Sequence, residues 1–309
     1  VISAGVGQVP ARRAAADAGI PLTTPSTLLN RACLSGMHAI HLACQMIRLG
    51  EAEIVVAGGM ESMTNAPYLL TGARGGYRFG DGALVDSMLA DGLTCTLEHC
   101  AMGEATERHA TELGLARAPQ DAFAARSHEL AAMARKDGLL AEEIVPVTVP
   151  GRKGDTVVER DEHVRPDSTV EKLATLRPIL GKDDPDATVT AGNASGQNDG
   201  AAICVVTSPE KAAELGLRPL AKVVSWGLGG VPPKTMGIGP VPATAKALDV
   251  AGLTLADIDL IELNEAFAAQ VLACTREWKF TDADFERTNV HGSGISMGHP
   301  VGATGGRIL

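Results

Sequence analysis

Three side chains of different chemistry stand at the ends of small-residue, glycine-punctuated stretches, and together they could run covalent catalysis. Cys33 lies in Asn30-Arg-Ala-Cys33-Leu-Ser-Gly36, where a loop gives way to an apolar helical pattern that includes Met37, Ile40, Cys44 and Ile47. A sulfur at a helix start faces unpaired backbone N–H groups and the positive end of the helix dipole, which favour the nucleophilic thiolate. A lone cysteine is more often a small buried residue, so its partners decide the matter. His299 sits in Gly298-His-Pro300, on a turn whose proline discourages helix before Val301. Asn264 opens Asn264-Glu-Ala-Phe267-Ala at a strand-to-helix junction, where an amide can point its donors into a cleft. A thiol nucleophile, an imidazole base and an amide donor, each at an element end, fit nucleophilic acyl chemistry. The loop from Ala191 to Gly200 is small enough in its residues to let a narrow ligand approach the backbone.

These residues need elements to hold them. Val1 to Gly7 reads as a strand, and Pro10 to Gly19 as a helix with Pro near its start and Gly at its end. The Cys33 helix closes at Gly50, and Glu53 to Ala57 is a buried strand ending in Gly58-Gly59. From Met60 to about residue 197 the alternation loosens. A helical period runs from Ala118 to about Asp137, and a polar excursion from Gly151 to Arg177 carries six basic residues. Such charges make either a solvated face or a polyanion site. Order returns with strands at Gly200–Val206, Leu220–Trp226 and Asp259–Leu263. Helices are expected at Pro209–Leu215, Pro240–Val250 and Glu265–Trp278. Strand and helix in alternation predict an α/β fold. The two ends of the chain echo each other, each with a Gly-rich turn before a helix, as an internal duplication would.

The chain has 309 residues, 45% hydrophobic and only 3% aromatic, with 35 glycines, which predicts aliphatic cores with close backbone contacts. A formal net charge of −10 argues against nucleic acid or anionic membrane as the main partner. Six cysteines without a regular framework read as reduced thiols of a cytoplasmic protein. No apolar run approaches the ~20 residues of a membrane span. Cys95, His99 and Cys100 resemble half a zinc site without a second ligand pair, and the glycines of 298–306 do not match G-x-G-x-x-G; no metal and no dinucleotide is expected.

Six segments, taken together, resemble the thiolase family. They are Asn30 to Gly36, Gly58-Gly-Met-Glu-Ser-Met63, Thr190 to Gly200, Met236 to Pro242, Asn264 to Ala268 and Gly298-His-Pro-Val-Gly302, all in thiolase order. Ketoacyl synthases share the fold and the cysteine but are less similar at 264–268. The resemblance implies a layered α-β-α-β-α architecture made of two similar mixed-sheet halves with an inserted loop domain. The N-terminal half would be 1–62 and 198–218, the CoA-binding loop domain 63–197, and the C-terminal half 219–309.

What the resemblance implies for chemistry is acyl transfer between CoA thioesters, as thiolytic cleavage or Claisen condensation, with coenzyme A as substrate and no further cofactor. Cys33 would be acylated and His299 would take its proton. His299 and a water on Asn264 would form one oxyanion hole, and the Cys33 N–H would serve another. Ser195 and Ala194 would flank the pantetheine arm, Arg165 the nucleotide end, and Met102, Met236 and Phe267 the acyl side. A homodimer or homotetramer is implied. Where many short-chain members carry His-Met-Gly, this chain has Ala101-Met102-Gly103, which leaves open a different acyl preference. Val1 reads as mid-strand and Ile308-Leu309 as mid-helix, so a chain truncated at both ends is expected, without the family's second, Cys-x-Gly cysteine. The alternative is an acyl-CoA-binding protein or fragment without turnover.

Overall fold

A computed structural model describes residues 1–309. In chain order it has helix α1 (Pro10–Asp17), helix α2 (Ser35–Arg48) and strand β1 (Ile54–Ser62). Two short hairpins follow, β2 (Tyr68–Leu70) with β3 (Leu84–Asp86) and β4 (Thr94–Cys95) with β5 (Cys100–Ala101). Helices α3 (Met102–Glu112) and α4 (Arg117–Lys136) lead to a third hairpin, β6 (Val147–Val149) with β7 (Thr156–Val158). Then come α5 (Val170–Ala174), strand β8 (Asp199–Thr207), α6 (Pro209–Glu214), α7 (Pro240–Ala251), α8 (Ala268–Glu277), α9 (Asp282–Glu286), α10 (Gly294–Met297) and α11 (Val301–Arg307). No helix is long and apolar enough to cross a membrane.

The two strands expected around residues 53–57 and 200–206 find each other. β1 and β8 pair antiparallel from Ile54 opposite Thr207 to Ser62 opposite Asp199. Because side chains alternate along a strand, Val55, Ala57, Cys204 and Val206 share one face and pack on Ile40, Ala43 and Cys44 of α2. The other face leaves Ile54, Val56, Ile203 and Val205 exposed.

Helix α11, which follows His299, lies against both α2 and this ribbon, and glycine is what lets it in. A Cβ on Gly36 would stand 2.6 Å from the nitrogen of Gly306, and one on Gly59 would stand 1.8 Å from the oxygen of Gly302. Those distances are below any non-bonded contact, so backbone meets backbone at both crossings, as the glycine content predicts.

The larger core surrounds α8. Ala268, Ala269, Val271, Ala273 and Cys274 are at most 2% exposed, and Phe123 and Ala124 of α4, Leu173 of α5, Leu263 and Ile295 close around them. Helix α8 starts at Ala268, three residues later than the apolar run predicts. Residues 266 and 268 are held instead by the 190–200 loop, Ser195 N donating to Ala266 O at 2.9 Å and Ala268 N to Asn193 O at 2.8 Å.

Three expected strands do not form. Ile2 is buried against Met63 and Val301, but its N–H goes to the Glu61 carboxylate rather than to a neighbouring strand. Residues 220–226 have no ladder partner; Val223 and Trp226 pack on the α2 and β1/β8 cluster, so their apolar pattern records burial alone. In 259–263 only Ile261 makes a bridge, to Thr288. A strand is defined by what it pairs with, and residues 219–309 contribute helices and single bridges to the fold.

Candidate active site

The structure brings Cys33, His299 and Asn264 together across 266 residues of sequence. Cys33 stands just before Leu34, the cap residue of α2, in a turn where Ala32 has φ +49°. The Ser35 hydroxyl accepts from Arg31 N at 2.9 Å and donates to Ala32 O at 2.7 Å, which fixes the turn. His299 is 6% exposed; its Nε2 lies 3.2 Å from Cys33 Sγ and 3.3 Å from Asn264 Nδ2. Its Nδ1 lies 2.6 Å from Thr304 Oγ1, and that hydroxyl donates to Pro300 O at 3.1 Å.

Hydrogen-bond bookkeeping then sets the tautomer. The Thr304 proton goes to Pro300 O, so Thr304 Oγ1 accepts from His299 and the imidazole proton is on Nδ1. Nε2 is left as an acceptor facing two donors, the Cys33 S–H and the Asn264 amide. This is the arrangement a general base for Cys33 needs.

The charge states differ from the helix-dipole expectation. Burial pushes the Cys33 thiol up to about 11, with a smaller opposing pull from its own backbone N–H and a small upward push from Glu61. Burial, and then the Arg307 guanidinium, pull His299 down to about 4. At neutral pH the resting pair is therefore thiol and imidazole, both uncharged, because desolvation outweighs the helix terminus. Alkylation of Cys33 by iodoacetamide should keep accelerating as pH rises toward about 11. A plateau around neutral pH would mean a preformed thiolate–imidazolium pair instead.

Asn264 is held from behind. Asn289 clamps Leu263 by two 2.8 Å bonds, from Leu263 N to its Oδ1 and from its Nδ2 to Leu263 O. The Asn289 amide also donates to Glu265 at 2.9 Å, and Glu265 accepts from Ser127 Oγ at 2.6 Å and Ile295 N at 3.1 Å. Glu265 is fully buried, and burial pushes its carboxyl up against the pull of these donors. His299 is held the same way: Asn198 accepts from its backbone N–H at 3.1 Å, and Glu61 accepts from Gly302 N at 2.9 Å.

The thiolase N-terminal domain model matches residues 1–210 and the thiolase C-terminal domain model residues 217–309. The chain belongs to the thiolase family. An acetyl-CoA acetyltransferase of Chromobacterium violaceum is 50% identical over all of this chain and 78% of its own length, and one of Escherichia coli is 50% identical over 77% of its length. The crystal structure of the Bacillus anthracis acetyl-CoA acetyltransferase superposes with a TM-score of 0.94 at 45% identity, covering 99% of this chain and 76% of that one. The layered α/β fold expected of a thiolase is thereby established for this chain.

Of the remaining expected site residues of this thiolase, some are assembled and some are not. Ala194 bridges Phe267, and Ser195 is bonded to Ala266, so these three form one wall. Met102 opens α3, and the next residue, Gly103, faces Phe267 and Ile179. Met236 lines a small cleft with Ala105, Thr106, His109 and Gln270. Arg165 donates its backbone N–H to His128 at 3.2 Å, and His163, two residues away, packs on Gly196 next to Ser195. Arg160 of the basic excursion joins Arg135, Lys136 and Glu129 around an open groove of about 530 Å³. Sequence reasoning missed Thr304, Asn198, Glu61 and Glu265. Asn198, Glu61 and Glu265 lie inside the 190–200, 58–63 and 264–268 segments that the sequence singles out, and Thr304 lies outside all of them.

Proposed function

We propose that this thiolase transfers acyl groups between coenzyme A thioesters through an acyl-Cys33 intermediate, with an acetyl group as the unit transferred. The observation that carries the reading is the 3.2 Å contact between Cys33 Sγ and His299 Nε2, which also faces the Asn264 amide. Cys33 passes its proton to Nε2 as its sulfur attacks the thioester carbonyl. The tetrahedral oxygen then faces an oxyanion hole, one hole being made by the new Nε2–H and a water on the Asn264 amide and another served by the Cys33 N–H, and the proton on Nε2 goes to the departing CoA sulfur. Because the resting pair is neutral, no charged nucleophile has to be desolvated before attack.

Coenzyme A would lie along the loop domain, residues 63–197, with the pantetheine arm by Ala194 and Ser195, the acyl end by Met102, Met236 and Phe267, and the nucleotide toward Arg165. The names of the relatives support acetyl-CoA as the substrate. A homodimer or homotetramer is part of the proposal, and sedimentation would measure it.

The test is mass spectrometry of protein mixed with acetyl-CoA. An acetyl adduct on Cys33 that disappears in Cys33→Ser is expected, and an adduct on Cys100 would overturn the assignment. Asn264→Ala should lower kcat by about 10²–10³ with little change in CoA affinity, as loss of one oxyanion donor does. Steady-state kinetics separates the two, and a change confined to KM would make Asn264 a binding residue.

A further inference from the structure

The hairpin that leads into α3 takes no part in this chemistry, yet it carries two of the six thiols. β4 and β5 are two residues each, and their register sets Cys95 directly opposite Cys100. Residues opposite each other in an antiparallel pair point to the same face with Cα atoms about 4.5–5.5 Å apart. A disulfide spans about 4.4–6.8 Å between Cα atoms, so directly opposed cysteines are at bridging distance. Both cysteines are free thiols. They differ in access, Cys100 being 5% exposed and Cys95 half-buried. Their turn is shaped to keep them together, with His99 at φ +54° and the Glu98 N–H donating to Cys95 Sγ at 3.4 Å.

We propose that Cys95 and Cys100 form a peroxide-responsive dithiol that closes into a disulfide across the hairpin while Cys33 stays reduced. The sulfur of Cys95 attacks one oxygen of hydrogen peroxide, the O–O bond breaks, and the products are a Cys95 sulfenic acid and one water. The sulfur of Cys100 then attacks the Cys95 sulfur, the S–O bond breaks, and the expelled hydroxide leaves as a second water with the Cys100 proton. Two thiols lose two electrons and one peroxide becomes two waters. Access puts Cys95 first, since burial keeps peroxide from Cys100, and the pairing across the hairpin leaves the Cys100 sulfur beside the oxidised Cys95 for the second step. Cys33 packs among Ile2, Met63 and Val301 with no second thiol beside it, so no disulfide can hold its oxidised form. β5 runs directly into α3, where Gly103 lies against Phe267, so the bond would tie the redox state of the hairpin to that wall.

The experiment uses the full chain treated with hydrogen peroxide, denatured, alkylated with iodoacetamide and cut with trypsin. Cleavage after Arg78 and Arg108 places both cysteines in one peptide, 79–108. That peptide should lose the mass of two hydrogens and take no alkyl group, dithiothreitol before alkylation should restore two alkylated cysteines, and fragment ions should locate an alkyl group on Cys33 throughout. In Cys100→Ser, dimedone should trap a sulfenic acid at Cys95. Two alkylated cysteines in 79–108 after peroxide, a sulfinic acid without a disulfide, or prior oxidation of Cys33 would each overturn the proposal. The readout is mass, so it stands whether or not acetyl-CoA is the substrate, and the wild-type result decides even where a variant folds poorly.

Discussion

Cys33→Ala should remove turnover almost entirely, and His299→Ala should fall to the same floor. Each single change is expected to cost on the order of 10⁴–10⁶ in kcat, and the double variant no more than the worse of the two, since residues acting as one unit are strongly non-additive. The geometry gives the reason. His299 has one lone pair, on Nε2, and it faces the Cys33 sulfur at 3.2 Å. Without the sulfur there is nothing to acylate; without the imidazole the thiol, pushed to about 11, supplies almost no thiolate near neutral pH. The two variants differ at high pH. His299→Ala should regain activity as pH rises toward the thiol's own titration, while Cys33→Ala should stay flat. Rate–pH profiles of the three proteins check this, and a double variant many-fold below both singles would mean that the two side chains act in separate steps.

The reactive residues were legible because each is chemically conspicuous: Cys33, Asn264 and His299 interrupt small-residue stretches at element ends, where side chains meet clefts. That they meet one another was legible only through the thiolase-like order of the motifs, since no periodicity links residue 33 to residue 299. What holds them was mostly hidden. Thr304 sets the tautomer of His299 from one turn into a helix, where threonine carries no special signal. Asn198 and Glu61 act through backbone N–H groups that a sequence does not number. At Cys33 two effects oppose each other: a helix start favours thiolate, while burial pushes the thiol up and is the larger of the two. The strand readings at 220–226 and 259–263 failed because apolar runs report burial, and hydrogen-bonded partners are a separate fact.

Gly59→Ala should damage stability and catalysis together. The added methyl would lie 1.8 Å from Gly302 O and 2.7 Å from Gly302 C, both backbone atoms of α11. No side-chain rotation relieves such an overlap, so α11 must move away from β1 by more than an ångström. Ordinary overpacking costs about 1–3 kcal/mol, occasionally more, and a collision with rigid backbone belongs at the upper end, a large share of a typical ~5–15 kcal/mol domain stability. The movement would also break the 2.9 Å bond from Gly302 N to Glu61 and carry off Thr304 and His299, whose 2.6 Å contact sits at the start of the same helix. A shift of that size between Cys33 and its base costs about 10²-fold in rate even where folding survives. Gly230→Ala is the control, because a Cβ there meets nothing within 4 Å. Urea midpoints and kcat should both drop for Gly59→Ala and hold for Gly230→Ala. If Gly59→Ala kept both, α11 could not be seated on β1 at backbone contact, and that seating is what brings the imidazole to the sulfur.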